Sequence, residues 1–200
     1  MKHETAAYST CCALAAALKR IMAQKPVESV TVSEVAAACG VNRKTFYYHF
    51  HDVYELLKWM LEQEAIDVVR RFDLMSEYEE AIEFVMDYVD ANRAMISSML
   101  SSFGRGMLKK FFYDDFNGIM ERLVDEAAER LNVNPPREYR GFLCVFYTEA
   151  IAGMLMEWCE DAIGCGRAQV VEYLSHIFRA SLPAVLRSAG PVSKKVPPAE

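Results

Sequence analysis

Two helix starts separated by one glycine constrain this chain more than any other stretch. "TVSEVAAACG" opens on Thr31 and carries Glu34 three residues later. That spacing is a capping box: the Thr31 hydroxyl accepts from the Glu34 backbone N–H, while the Glu34 carboxylate accepts from the Thr31 N–H. Val32, Val35, Ala36 and Cys39 then share the buried face, and Gly40 suits the left-handed residue that ends a helix. Asn42 is a good N-cap for a second short helix over Arg43 to Phe50. Helix, tight glycine turn, helix is therefore written within twenty residues.

The flanks continue the pattern. Leu14, Leu18, Ile21 and Met22 fall at i, i+4, i+7 and i+8 on one face of a first helix, which Pro26 ends near Ala23 or Gln24. Asp52, with Glu55 three residues on, starts a further helix whose apolar set is Leu56, Leu57, Met60 and Leu61. Longer helices are expected over Tyr78–Ala91, Ala94–Ser102, Gly106–Leu131, Glu138–Ile163 and Ala168–Leu186, broken at "SSFGRG", "NVNPPR" and "GCGR". No stretch alternates with the period-2 pattern of strands, so the expected class is all-α. The expected domains are a three-helix head at 1–58, a larger helical domain at 59–188, and a Pro-rich disordered tail at 189–200.

The residues of the second short helix divide by phase. At about 100° per residue, Phe46 and Phe50 point inward while Lys44 and Tyr48 lie on the opposite side. Arg43 and Tyr47 flank one edge, Thr45 and His49 the other. Cations suit phosphates and guanine edges, hydroxyls suit phosphate oxygens, and an apolar underside keeps the helix rigid in a major groove. Charge agrees with that use. Residues 1–58 carry seven Lys/Arg against five Asp/Glu, whereas the remainder carries 15 against 23, so the front end is the part suited to a polyanion.

The run "TVSEVAAACGVNRKTFYYHFHDVYELL" resembles the DNA-binding segment of the TetR-type (TetR/AcrR) transcriptional regulators, closely over 31–57 and loosely over 8–30. The resemblance implies a sequence-specific DNA-binding regulator: a homodimeric repressor that reads a palindromic operator in double-stranded DNA and is released by a small-molecule effector. It implies phosphate contacts by Thr31 and Ser33, and recognition-helix contacts by Asn42, Arg43, Lys44, Thr45, Tyr47, Tyr48 and His49. Among these, Tyr47 and His49 would meet phosphates, and Arg43, Lys44 and Tyr48 base edges. Where the family commonly has a lysine opening the fourth helix, this chain has Val53, one phosphate cation fewer. That departure keeps a second reading open, a coactivator or protein-interaction module of the same fold with little DNA binding of its own.

The resemblance also implies dimerisation through the last two long helices, 138–163 and 168–186. "CVFYTEAIAGMLMEWC" is apolar over much of its circumference, as a helix buried on more than one side would be. Methionines and aromatics beyond the head, Met99, Met120, Phe111 and Phe116 among them, suit an adaptable pocket lining, but at helical spacing such residues more often form an ordinary core, and no effector contact is assigned to them. An enzyme is not expected. The four histidines, His3, His49, His51 and His176, fall in no Cys/His, Ser/His or metal-ligand spacing, and no glycine loop suits a phosphate cofactor. Without a secretory signal or a run of about 20 uncharged apolar residues, the expected setting is cytoplasmic with no membrane partner.

Overall fold

A computed structural model describes residues 2–189. The tail expected at 189–200 lies outside the described residues, apart from Ala189. All regular structure among the described residues is helical. Helix α1 spans Lys2–Met22 and is followed by a 3₁₀ turn, Val27–Ser29. The short helices α2 (Val32–Ala38) and α3 (Arg43–His49) come next. Helix α4, Val53–Leu61, runs through a π-helical segment, Glu62–Ile66, into a last turn, α5, Asp67–Val69. Four longer helices follow among the described residues: α6 (Tyr78–Ala91), α7 (Arg93–Arg130), α8 (Arg137–Cys159) and α9 (Arg167–Ser188).

The helices gather into two compact units, each made of two chain segments. Among the described residues one takes 2–71 and 84–112, the other 72–83 and 113–189. In the first, α1 packs on α2, α3 and α4. Its centre holds Leu14, Leu18, Val35, Phe46, Leu56 and Met60, all essentially without solvent contact. The π segment carries an extra residue in one turn, which turns Glu64 toward α1 and α6. The Glu64 carboxylate accepts from Lys19 Nζ at 2.5 Å and from the Tyr88 hydroxyl at 2.9 Å. Burial, then the Glu64 charge, pushes the Tyr88 phenol well above its ordinary range.

In the second unit α8 and α9 pair closely. Tyr147 and Ser181 hydrogen-bond at 2.7 Å, and Tyr147 lies 5.1 Å from the Phe178 ring. Val124, Ala127, Ala152, Met156 and Leu186 are fully buried around them. Arg130 reaches back to both oxygens of Asp73, at 3.0 and 2.9 Å, and holds that carboxyl below its ordinary range.

One break falls where it is expected, and one helix end differs. The expected break in "SSFGRG" is present at Gly104, whose φ of 72° and ψ of 162° are non-helical, so α7 is two helices that meet at a kink. Helix α8 stops at Cys159 rather than near Ile163. Asp161 takes a left-handed φ of 54°, and the Ala162 N–H bonds back to the Glu157 carbonyl at 2.8 Å. Asn132, at φ 52°, ends α7 in the same way, with the Val133 N–H bonding the Ala128 carbonyl at 3.0 Å. Asp and Asn tolerate this conformation better than other non-glycine residues. By length and composition α8 is the one helix among the described residues suited to crossing a membrane. Its apolar side chains are divided between the interior and an exposed stripe.

Candidate DNA-binding surface

The turn that aims α3 is locked at both ends. The Glu34 N–H donates to Thr31 Oγ1 at 3.3 Å, and Glu34 Oε2 accepts from the Thr31 N–H at 2.9 Å and from its hydroxyl at 2.8 Å. Lys25 donates to Glu34 Oε1 at 2.6 Å and to the Ser29 carbonyl at 2.8 Å, tying the loop after α1 to the start of α2. These donors, Lys25 first and then Thr31, hold the Glu34 carboxyl at about 2, against an ordinary 4.5. Gly40 has φ +69°, and the Val41 N–H closes the end of α2 on the Ala36 carbonyl at 3.0 Å. Two residues later Asn42 Oδ1 accepts from the Thr45 N–H at 2.9 Å and starts α3.

Aromatic rings set the depth of α3. Phe46 is fully buried and Phe50 5% exposed. Their ring centroids lie 6.0 Å apart, Phe50 is 5.8 Å from Trp59 of α4, and Trp59 is 5.8 Å from Tyr8 of α1. This chain of rings fixes α3 against both neighbours. The opposite side is open: Tyr48 is 82% and Tyr47 51% exposed, while Arg43, Lys44 and Asn42 are exposed and Thr45 and His49 half-buried. Arg43 lies over the Tyr47 ring at 5.9 Å, and the Tyr48 and His49 rings meet edge to face at 5.0 Å.

Acids near this face are engaged in capping. Asp52 Oδ1 accepts from the Glu55 N–H at 2.8 Å, and Glu55 Oε2 from the His51 N–H at 2.5 Å. Both act within the turn between α3 and α4 and leave the cations of α3 opposed by no carboxylate of that helix. Val53 is 6% exposed and contributes to the interior, so the first residue of α4 presents no side chain to a phosphate.

Of the residues expected to touch DNA, Asn42, Arg43, Lys44, Tyr47 and Tyr48 thus share one exposed edge, with Thr45 and His49 at its margins. Ser33 is exposed in the first turn of α2. Thr31 is exposed too, but both its N–H and its hydroxyl hydrogen go to Glu34. Sequence reasoning did not foresee Lys25, whose role depends on a contact nine residues away.

A capped helix, a left-handed glycine and a second helix with a polar, cationic outer edge define a helix-turn-helix DNA-binding regulator. The chain belongs to the TetR family. Residues 14–59 match the family described as bacterial regulatory proteins, tetR family, and residues 76–180 the one described as transcriptional regulator C-terminal region. Proteins of this family bind DNA and dimerise. The chain is 18% identical, over 144 residues, to the HTH-type dhaKLM operon transcriptional activator DhaS of Lactococcus lactis subsp. lactis (strain IL1403), covering 72% of this chain and 76% of that protein. Its fold is similar to the solved structure of the dihydroxyacetone kinase operon activator DhaS, with TM-score 0.67, 17% identity and coverage of 90% and 97%. It is also similar to NalD of Pseudomonas aeruginosa, the secondary repressor of the MexAB-OprM multidrug efflux pump, with TM-score 0.54, 20% identity and coverage of 86% and 96%.

Proposed function

We propose that the protein is a homodimeric, sequence-specific repressor that reads a palindromic operator with α3 and is released by a small-molecule effector. The observation that carries this reading is the division of α3, with Phe46 and Phe50 buried beneath and Arg43, Lys44 and Tyr48 exposed above. In this reading Arg43, Lys44 and Tyr48 meet base edges. Asn42, Thr45, Tyr47, His49 and Ser33 meet the backbone, and Thr31, whose hydroxyl hydrogen goes to Glu34, acts there by ordering α2 or by releasing that hydrogen to a phosphate. Residues 1–58 act as the reading head and 59–188 as the regulatory and dimerisation part.

The dimer contact is assigned to α8 and α9. Phe142, Val145 and Phe146 are 64%, 47% and 57% exposed, and Tyr173 and Ile177 are 52% and 54% exposed. They recur at i, i+3, i+4 along α8 and i, i+4 along α9, two apolar stripes of the kind that a second copy covers. Selection of bound DNA from a random pool tests the reading: an inverted repeat, with half-sites about 34 Å apart or a multiple, is expected. Recovery of no preferred sequence at low salt overturns it.

A second reading, activation, has the likeness to the operon activator DhaS in its favour. The same operator placed before a reporter separates the two, since a repressor lowers expression and an activator raises it.

A further inference from the structure

When a helix-turn-helix docks, its first helix crosses the sugar-phosphate backbone. Here that helix is α2, whose sequence "VSEVAAA" carries one charge, the Glu34 carboxylate, and no cation. Val53, buried at the opening of α4, supplies none either. The cation held against α2 comes from the loop before it. Lys25 Nζ lies 2.6 Å from Glu34 Oε1. Its backbone is placed from both sides. The Lys25 N–H bonds the Ile21 carbonyl at 3.2 Å, and two residues on Val27 is 1% exposed, its N–H held by Ser98 Oγ at 3.1 Å. Pro26 between them fixes one more dihedral.

A count of hydrogens shows what this arrangement leaves over. Glu34 Oε2 accepts from the Thr31 N–H and hydroxyl, and Oε1 from Lys25, so both carboxylate oxygens are occupied. An ammonium has three hydrogens to donate. Lys25 gives one to Glu34 and one to the Ser29 carbonyl at 2.8 Å. One is left, on a side chain 31% exposed, at the turn that also carries the exposed Ser33.

We infer that Lys25 contacts the DNA backbone, its third hydrogen going to a phosphate oxygen where α2 crosses the strand. It thereby supplies the cation that α2 and Val53 lack. The inference rests on the DNA-reading function and adds a residue to it. A phosphate contact carries no sequence information, so Lys25 strengthens binding to every duplex alike, unlike Lys44 on the reading edge.

Salt titrations of the full chain test this, on the selected operator and on an unrelated duplex of equal length. Each phosphate contact adds about 0.9 to the slope of log affinity against log salt. Lys25→Gln is therefore expected to flatten the slope by about 0.9 per reading head, about 1.8 for a dimer on both half-sites, and to weaken both duplexes by the same factor. That variant also strips Glu34 of its partner, so the deciding one is Lys25→Gln combined with Glu34→Gln. It keeps the net charge of the wild type, and glutamine still closes a capping box. A slope that stays flat in the double variant supports the contact. Recovery of the wild-type slope means that Lys25 only silences Glu34, and overturns the inference. An unchanged slope in Lys25→Gln, or weakening of the operator alone, overturns it too. Lys25→Arg, which keeps charge and donors, is expected to retain the wild-type slope, and helical circular dichroism checks that each variant is folded. A wild type with no sequence preference whose slope still depends on Lys25 leaves the contact standing and removes specific reading. A preferred operator whose slope ignores Lys25 does the reverse.

Discussion

Tyr48 shows what a single residue decides. At 82% exposure it contributes little to folding, so its loss should register almost entirely in DNA binding. Lys44→Ala and Tyr48→Ala are each expected to weaken operator binding by about 1–3 kcal/mol and to relax specificity at one base position. Thermal unfolding should stay within a degree or two of the wild type. Phe46→Ala is the opposite case, expected to cost about 3–5 kcal/mol of stability because its ring is wholly enclosed. A comparison of melting curves with gel-shift titrations checks both. This division was legible in the sequence because helical phase alone separates Phe46 and Phe50 from Lys44 and Tyr48. Val53 was legible as a missing cation but not as part of the interior, since nothing local says which face the start of α4 presents.

Among the elements, α2 is the one most dependent on its ends. Thr31→Ala removes the cap and is expected to cost about 1 kcal/mol. Gly40→Ala meets no atom within 4 Å, so its expected cost of about 1 kcal/mol comes from backbone conformation at φ +69° alone. Chemical denaturation measures both. The Glu34 carboxyl is lowered from 4.5 to about 2. A carboxyl depressed by folding stabilises the native state above its unfolded value, and that contribution disappears as pH falls through the folded one. The stability difference between wild type and Glu34→Gln should therefore be constant above pH 4.5 and shrink toward pH 2, which thermal melts across that range would show. Both caps and the glycine turn were readable because each works within four residues. The end of α7 at Arg130 was readable too, within one residue of the expected Leu131, but the stop at Asp161 was not, because Asp takes the left-handed form only where the surrounding chain imposes it. Nor was the π segment, whose Glu64 is justified only by Lys19 and Tyr88, far away in the sequence.

For the whole molecule, association is the property most open to a decisive experiment. A charge placed in either apolar stripe, Phe146→Asp or Ile177→Asp, is expected to halve the mass seen by light scattering. It should also weaken binding to an inverted repeat much more than binding to one half-site, because only the dimer engages both halves. The two-unit grouping also limits how the chain is made. Since the unit holding the reading helix recruits Phe84–Phe112, its last wall is supplied late. During synthesis the N-terminal helices emerge first but lack Tyr88 for Glu64, and the buried Met99 and Leu108, until Phe84–Phe112 has left the ribosome. No single proteolytic cut can release either unit whole. A fragment ending at Arg71 should accordingly be less helical per residue than the same stretch within the full chain, and more exposed to chaperones than its N-terminal position would suggest.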